Sequence, residues 1–385
     1  MKERTPPLQT NLPAVGTTIF TVMSALAAEK GAVNLGQGFP DFDCDPRLVQ
    51  AVADAMAKGL NQYPPMPGVA QLRAAVASKI ESMYGRRYDP ADEITITAGA
   101  TQAIITAVLA IVRPGDEVIV LEPCYDSYVP NIELAGGTVV RVPLTPHTFR
   151  PDFGSIAAAI TPRTRAIIVN SPHNPSATVW TALEMRQLEE LLAPTDVFVI
   201  SDEVYEHMVF DGREHQSVAR FPGLAARSFI VSSFGKTYHV TGWKVGYVAA
   251  PRPLSAEFRK VHQFTVFTVN TPMQHGIAAY MADPAPYLEL PEFYQRKRDL
   301  FREGLQRTRL TVLPSEGSYF QCVDISQVSP LGEADFCRWL TSEIGVAAIP
   351  LAAFYGNGFD QRVVRFCFAK KDKTLLAALD RLAKL

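Results

Sequence analysis

Residues able to do chemistry in this chain gather where short apolar runs end. After Phe229–Val231 comes Ser232-Ser233-Phe234-Gly235-Lys236-Thr237. A lysine among small residues at the end of a buried run can act as a desolvated amine nucleophile. After Val197–Ile200 comes Ser201-Asp202-Glu203-Val204-Tyr205. A carboxylate there is costly unless it meets a cation or a strong donor, and Tyr205 can present a phenol to the same place. After Ala166–Val169, Asn174 stands between Pro172 and Pro175, its amide free to donate and to accept. After Glu93–Thr97, Ala98-Gly99-Ala100-Thr101 leads into an apolar helix capped by a threonine. Such a turn aims backbone N–H groups outward and suits a phosphate. Each segment also has a plainer reading: a solvated lysine, an Asp helix cap, an Asn-Pro turn and a capped strand–helix turn.

Taken together the four are more specific. An anion cradle, an amide, a carboxylate with a phenol, and a lysine beside two serines are what pyridoxal 5′-phosphate requires. Two nucleotide readings fail. A P-loop ending at Gly235-Lys236-Thr237 needs glycine at position 230, which is Ile230. Gly36-Gln37-Gly38 is followed by Phe39-Pro40-Asp41, without the third glycine of a dinucleotide fingerprint.

The elements that must position these residues are readable from the same runs. Glu93–Thr97, Glu117–Leu121, Ala166–Val169, Val197–Ile200 and Phe229–Val231 are mostly apolar at successive positions, as in parallel strands buried on both faces. Helices lie between them. Thr181 and Glu184 form a capping box ahead of Met185, Leu188 and Leu192, and Asp45-Pro46 with Gly59 frames another helix. Alternating strands and helices predict an α/β architecture with a mainly parallel sheet. The last third differs: strands at Tyr319–Val323 and Val363–Cys367 and an amphipathic helix at Thr374–Leu382 predict a smaller α+β domain. The division expected is an N-terminal segment, 1–45, assigned to the small domain although its residues alone leave both options open; a large cofactor-binding domain, 46–288; and a small domain, 289–385.

The chain has 385 residues, 47% of them hydrophobic, enough for two or three domains with a sizeable core. A formal net charge of −2 gives no reason to expect nucleic acid or an anionic membrane as partner. Five scattered cysteines without a CxxC argue against a disulfide framework and for the cytoplasm. No metal-ligand cluster is evident. Met1 to Pro13 is polar and proline-bearing rather than signal-like, and the longest apolar stretch, Ala103 to Val112, is far short of a membrane span.

From Leu35-Gly36-Gln37-Gly38-Phe39-Pro40 to Val364-Arg365-Phe366, the sequence resembles the class I aminotransferases of fold-type I pyridoxal-phosphate enzymes. Within them it is similar to the methionine/kynurenine branch, most of all to its bacterial methionine-using members. Ser201-Asp202-Glu203-Val204-Tyr205-Glu206, Ser233-Phe234-Gly235-Lys236-Thr237 and Thr241-Gly242-Trp243-Lys244-Val245-Gly246 carry the resemblance most specifically. It implies that Lys236 bonds the cofactor, Asp202 pairs with its ring nitrogen, and Asn174 and Tyr205 donate to its ring oxygen. It further implies that Tyr125 stacks on the ring, and that Gly99, Ala100, Thr101, Ser233 and Lys244 hold the phosphate. Tyr63 would reach the phosphate of a neighbouring subunit, which implies a homodimer. Arg365 and the Gly38 backbone, with Asn174 assisting, would hold the substrate carboxylate. Lys244 stands where many class I members carry arginine; the kynurenine-type branch uses lysine there.

The activity implied is transfer of an amino group from methionine, and from aromatic amino acids, to a 2-oxo acid. Ile19, Phe20, Phe39, Phe264, Phe267, Phe354 and Tyr355 are the candidates for an apolar side-chain pocket, with ordinary core as their other reading. A β-lyase acting on cysteine conjugates is the nearest alternative. A transcription regulator built on the same core is rejected, because the resemblance begins by about residue 15 and leaves no room for a DNA-binding module ahead of it.

Overall fold

The structure, a computed structural model, describes residues 9–385, so the first eight residues of the polar Met1 to Pro13 stretch lie outside the described residues. Strand β1 (Val33–Asn34) comes first. The strands β2 (Ile94–Thr97), β3 (Glu117–Glu122), β4 (Thr138–Pro143), β5 (Thr164–Asn170), β6 (Phe198–Asp202), β7 (Ser228–Ser233) and β8 (Gly246–Ala249) then build one seven-stranded sheet. Its order is β2-β8-β7-β6-β5-β3-β4, and only β8 runs against the others. The expected α/β architecture with a mainly parallel sheet is borne out.

The apolar runs make this sheet because both its faces are covered. Val118 and Val120 on β3, with Ala166 and Ile168 on β5, pack into a core under the Gly99–Ile111 helix. Their neighbours Ile119, Leu121, Ile167 and Val169 point into the other, larger core. Side chains alternate across a strand, so a strand between two layers is apolar at every position. Two strands escape the sequence pattern. β4 is an edge strand with only Val142 buried, and β8 is a four-residue strand just past a lysine.

The helix signals hold. Thr181 and Glu184 form the reciprocal capping box, and Asp45 accepts the Arg47 N–H at 2.8 Å at the head of Pro46–Ala57. The threonine cap expected at the head of the apolar helix does not form. That helix starts at Gly99, its cap residue is Ala98, and the Gln102 side chain reaches back to the Ala98 N–H at 2.9 Å. Thr101 therefore lies inside the first turn.

Further along the chain, β9 (Thr311–Val312), β10 (Phe320–Asp324), β12 (Ile349–Pro350) and β13 (Val363–Cys367) form an antiparallel sheet in the order β12-β13-β10-β9. β1 pairs in parallel with β11 (Val346–Ala347), which fixes the chain before Leu35 beside this C-terminal part. The helix Asp372–Leu382 closes the chain.

Beneath the seven-stranded sheet lies a buried polar knot. Lys79 Nζ donates to Glu206 Oε1 at 2.6 Å and to the Tyr247 hydroxyl at 2.8 Å, while Tyr84 and Ser232 donate to the same carboxylate at 2.6 and 2.7 Å. Removing one member of a buried ion pair leaves its partner's charge uncompensated. Lys79→Ala is therefore expected to lower stability by about 3–5 kcal/mol, read as the shift in the urea midpoint. A loss below about 1 kcal/mol, the worth of an exposed pair, would mean the knot is not closed.

Candidate active site

A cavity of about 330 Å³ opens where the C-terminal ends of the parallel strands face β10 and β13. Of the residues expected at a site, Gly38, Gly99, Ala100, Thr101, Tyr125, Asn174, Asp202, Tyr205, Ser233, Lys236, Lys244 and Arg365 all line it. Tyr63 does not; it is 80% exposed and its ring meets Phe267 edge-on at 5.3 Å.

Asp202 is the last residue of β6 and is buried. Its Oδ2 accepts the Tyr128 hydroxyl at 2.6 Å, and Oδ1 accepts the Val204 N–H at 3.3 Å. Asn170, opposite it on β5, donates to the Asp202 carbonyl at 2.8 Å and accepts the Asn174 N–H at 2.8 Å. Burial pushes the Asp202 carboxyl up to about 6, against the pull of the Tyr128 hydrogen bond. It is an acid lining the cavity, with no cation among the described residues hydrogen-bonded to it.

Lys236 sits on the single helical turn Phe234–Thr237 that follows β7. Nζ donates to the Tyr319 hydroxyl at 2.7 Å and to the Gly38 carbonyl at 3.2 Å. Burial, assisted by the charges of Arg365 and Lys244, brings its amine down to about 8. A fraction of such an amine is neutral near pH 7, as a nucleophile or base requires.

At the far end of the cavity, the first residues of the Gly99–Ile111 helix meet Ser233 and Lys244. The leading N–H groups of a helix have no partner four residues back, so this end favours an anion. Lys244 adds a full charge. Gly246 makes the close approach possible, since a Cβ there would lie 2.6 Å from the Ser232 carbonyl oxygen and 3.2 Å from the Gly99 Cα. Gly99 itself has a φ of +77°, which disfavours any larger residue. Lys236 and Lys244 both belong to the connection between β7 and β8, whose ends are paired at Ser233 and Gly246.

Arg365, in the middle of β13, is fully buried. Nη1 donates to Asn174 Oδ1 at 2.6 Å and Nη2 to the Gly36 carbonyl at 3.2 Å, while buried Nε has no partner. Its guanidinium lies over the Phe320 ring, 3.9 Å from the centroid. Because arginine only donates, the amide orientation of Asn174 is fixed and its Nδ2 is left as a donor.

The pocket candidates divide. Phe20 and Phe39 line the cavity, whereas Phe354 and Tyr355 are buried and Ile19 packs against the core. Phe264 and Phe267, at and just beyond the end of the Arg252–Thr265 helix, are 88% and 43% exposed in the single chain and line neither its cavity nor its core. Tyr128, Tyr319, Asn170 and Phe320 are site residues that sequence reading did not single out. Asn170 ends an apolar run and the strand-end rule covers it; nothing in the sequence separates the two tyrosines or Phe320 from core aromatics.

The family described as aminotransferase class I and II matches residues 30–382. The chain is 53% identical over 378 residues to the methionine aminotransferase of Escherichia coli, covering 98% of each chain. A crystal structure of an E. coli protein, described as identifying a methionine aminotransferase function, superposes with a TM-score of 0.98 at 53% identity over 99% of this chain and 100% of that one. The kynurenine–oxoglutarate transaminase of Dictyostelium discoideum is 35% identical over 414 residues, covering 96% of this chain and 94% of the relative. The family match over residues 30–382 and these identities over nearly the whole chain show that this chain belongs to the class I and II aminotransferases and has their fold-type I architecture.

Proposed function

We propose that this aminotransferase uses pyridoxal 5′-phosphate to move the amino group of methionine, and of aromatic amino acids, to a 2-oxo acid, and that it works in the cytoplasm as a homodimer. One observation carries the cofactor assignment: buried Asp202 has donors but, among the described residues, no hydrogen-bonded cation, in the same cavity as a half-buried lysine and a cationic helix start. A phosphorylated pyridine aldehyde fits this donor set, each end meeting opposite or complementary chemistry. Asp202 would take the ring N–H, Asn174 and Tyr205 the ring oxygen, Tyr125 the ring face, and Gly99, Ala100, Thr101, Ser233 and Lys244 the phosphate. When bound, the cofactor supplies the electron sink for the pair left as the substrate Cα–H bond breaks.

The protein's own groups do the rest. Arg365 offers to the substrate carboxylate a guanidinium whose Nη1 and Nη2 each keep an N–H beyond the bonds to Asn174 and Gly36, and the stack on Phe320 limits its swing. Fixing that carboxylate orients the Cα–H bond. Lys236 Nζ, near neutrality by burial, takes the Cα proton and later returns a proton as acid. Tyr128 keeps Asp202 Oδ2 turned into the cavity.

Methionine as donor is supported by the 53% identical relative of that name and by Phe20, Phe39 and Phe320 along the cavity. Among the described residues the cations lining the cavity are Lys236, Lys244 and Arg365, each with a role already, so an aspartate side chain meets no further positive group among them. Tyr63 and Phe267, exposed side by side, suit a surface covered by a second subunit.

The visible spectrum of purified protein, before and after L-methionine without oxo acid, tests the assignment. A yellow band that methionine bleaches is expected, with aspartate much slower. Equal rates for the two amino acids contradict the side-chain reading, release of ammonia and pyruvate from cysteine conjugates shows lyase chemistry, and a protein that takes up no chromophore overturns the cofactor.

A further inference from the structure

Tyr319 has no part in the assignments above, yet it makes the shortest contact of the Lys236 amine. It is fully buried just ahead of β10, its ring edge-on to Tyr205 at 5.0 Å and to Phe320 at 4.9 Å, so it cannot turn without disturbing both. Its hydroxyl donates to the Gly38 carbonyl and accepts from Lys236 Nζ at 2.7 Å. With the phenol proton committed to Gly38, the phenol oxygen faces the amine purely as an acceptor. Burial holds this phenol well above its ordinary range, so it stays neutral.

The segment Gly36–Phe39 is tied to cations at three carbonyls. Arg365 holds Gly36 at 3.2 Å, Lys236 holds Gly38 at 3.2 Å, and Lys370 holds Phe39 at 2.8 Å. Lys236 is the member that must let go when its nitrogen bonds elsewhere, and Tyr319 is the only one of these groups that touches both Lys236 and Gly38.

We infer that Tyr319 is a positioning residue: its phenol seats the Lys236 amine, whenever that nitrogen is not covalently engaged, against the Gly36–Phe39 segment in a single orientation. The inference rests on the proposed role of Lys236. A neutral oxygen that accepts from an ammonium favours the protonated amine. Removing it should ease deprotonation while leaving the amine less well aimed.

The test uses apoprotein and follows the rate of covalent capture of pyridoxal 5′-phosphate by absorbance from pH 6 to 10. Capture needs the neutral amine, so the wild-type rate rises with pH to a plateau. In Tyr319→Phe, the midpoint is expected to fall by about one to two pH units, the size of one hydrogen bond to the charged form. The plateau should drop about five- to tenfold from poorer orientation. A Tyr319→Phe profile that superimposes on wild type overturns the inference. Wild-type apoprotein that captures no cofactor overturns the role of Lys236 instead. If the Phe variant does not refold, 3-fluorotyrosine placed at position 319 keeps the shape and weakens the acceptor; its midpoint must then also fall, and an unchanged midpoint is equally decisive against the inference.

Discussion

Lys236→Ala is expected to cut turnover by about 10⁴-fold or more, since it removes both a nucleophile and an acid–base group, while the protein stays folded and keeps measurable cofactor affinity through the phosphate end. The folding half of this expectation comes from burial. The native amine lies at about 8 and the ordinary one at 10.5, so the fold disfavours the charged form. Between those pH values the unfolded chain binds more protons than the native one, and stability rises with pH. Wild-type apoprotein should therefore gain stability from about pH 8 toward pH 10, and Lys236→Ala should lose that gain while being no less stable at pH 7. Denaturant midpoints across this range, together with steady-state rates, check both halves. Normal turnover in the variant would remove Lys236 from the chemistry altogether.

Asp202→Asn carries the second large effect, and it separates function from stability. Asn keeps an oxygen to accept the Tyr128 hydroxyl, giving up the long Val204 N–H bond at 3.3 Å, but cannot balance a protonated ring nitrogen. Loss of a charge-assisted pair in a dry site amounts to about 3–4 kcal/mol, or about 10²–10³-fold in kcat/KM. Stability should move the other way. The native Asp202 carboxyl is raised to about 6 from 3.8, so native protein binds more protons across that interval and loses stability as pH rises through it. At pH 7 the buried charge is a net strain on the cofactor-free protein, and Asn relieves it. The apoprotein of the variant should unfold at the same or a higher denaturant concentration than wild type. Activity within about threefold of wild type, below the smallest loss that such a pair implies, would contradict the pairing. A badly destabilised apoprotein would mean that Asp202 is mainly a structural group.

How much of this could be read beforehand depended on burial. β3, β5, β6 and β7 were visible because each lies between two layers and is apolar at consecutive positions, and their last residues led to Asp202, Asn174 and Lys236. β4 was not, because an edge strand with half-exposed side chains has little apolar signal. β8 hid because its four residues directly follow the Thr241–Trp243 turn and Lys244. Tyr128 and Tyr319 were invisible for another reason: a phenol whose value lies entirely in the partner of its oxygen looks, in sequence, like any core aromatic. Arg365 needed the family resemblance, since an arginine in an apolar strand does not reveal that Asn174, 191 residues away, will accept from it.

The link between β7 and β8 has a consequence of its own. Lys236 and Lys244 are carried on one short stretch with both ends clamped by the Ser233–Gly246 pair, so the gap between the amine and the anion-side charge is gauged along the backbone rather than by the docking of remote parts. The stretch acts as a ruler, and on the proposed reading its measure is the one a single coenzyme would have to span. Side-chain selectivity has no such ruler: Phe20, Phe39 and Phe320 come from three separate segments. An engineer could thus reshape which amino acid is accepted by exchanging Phe20 and Phe39, leaving Phe320 to support Arg365, whereas a single residue inserted between Lys236 and Lys244 would spoil the measure at both of its ends.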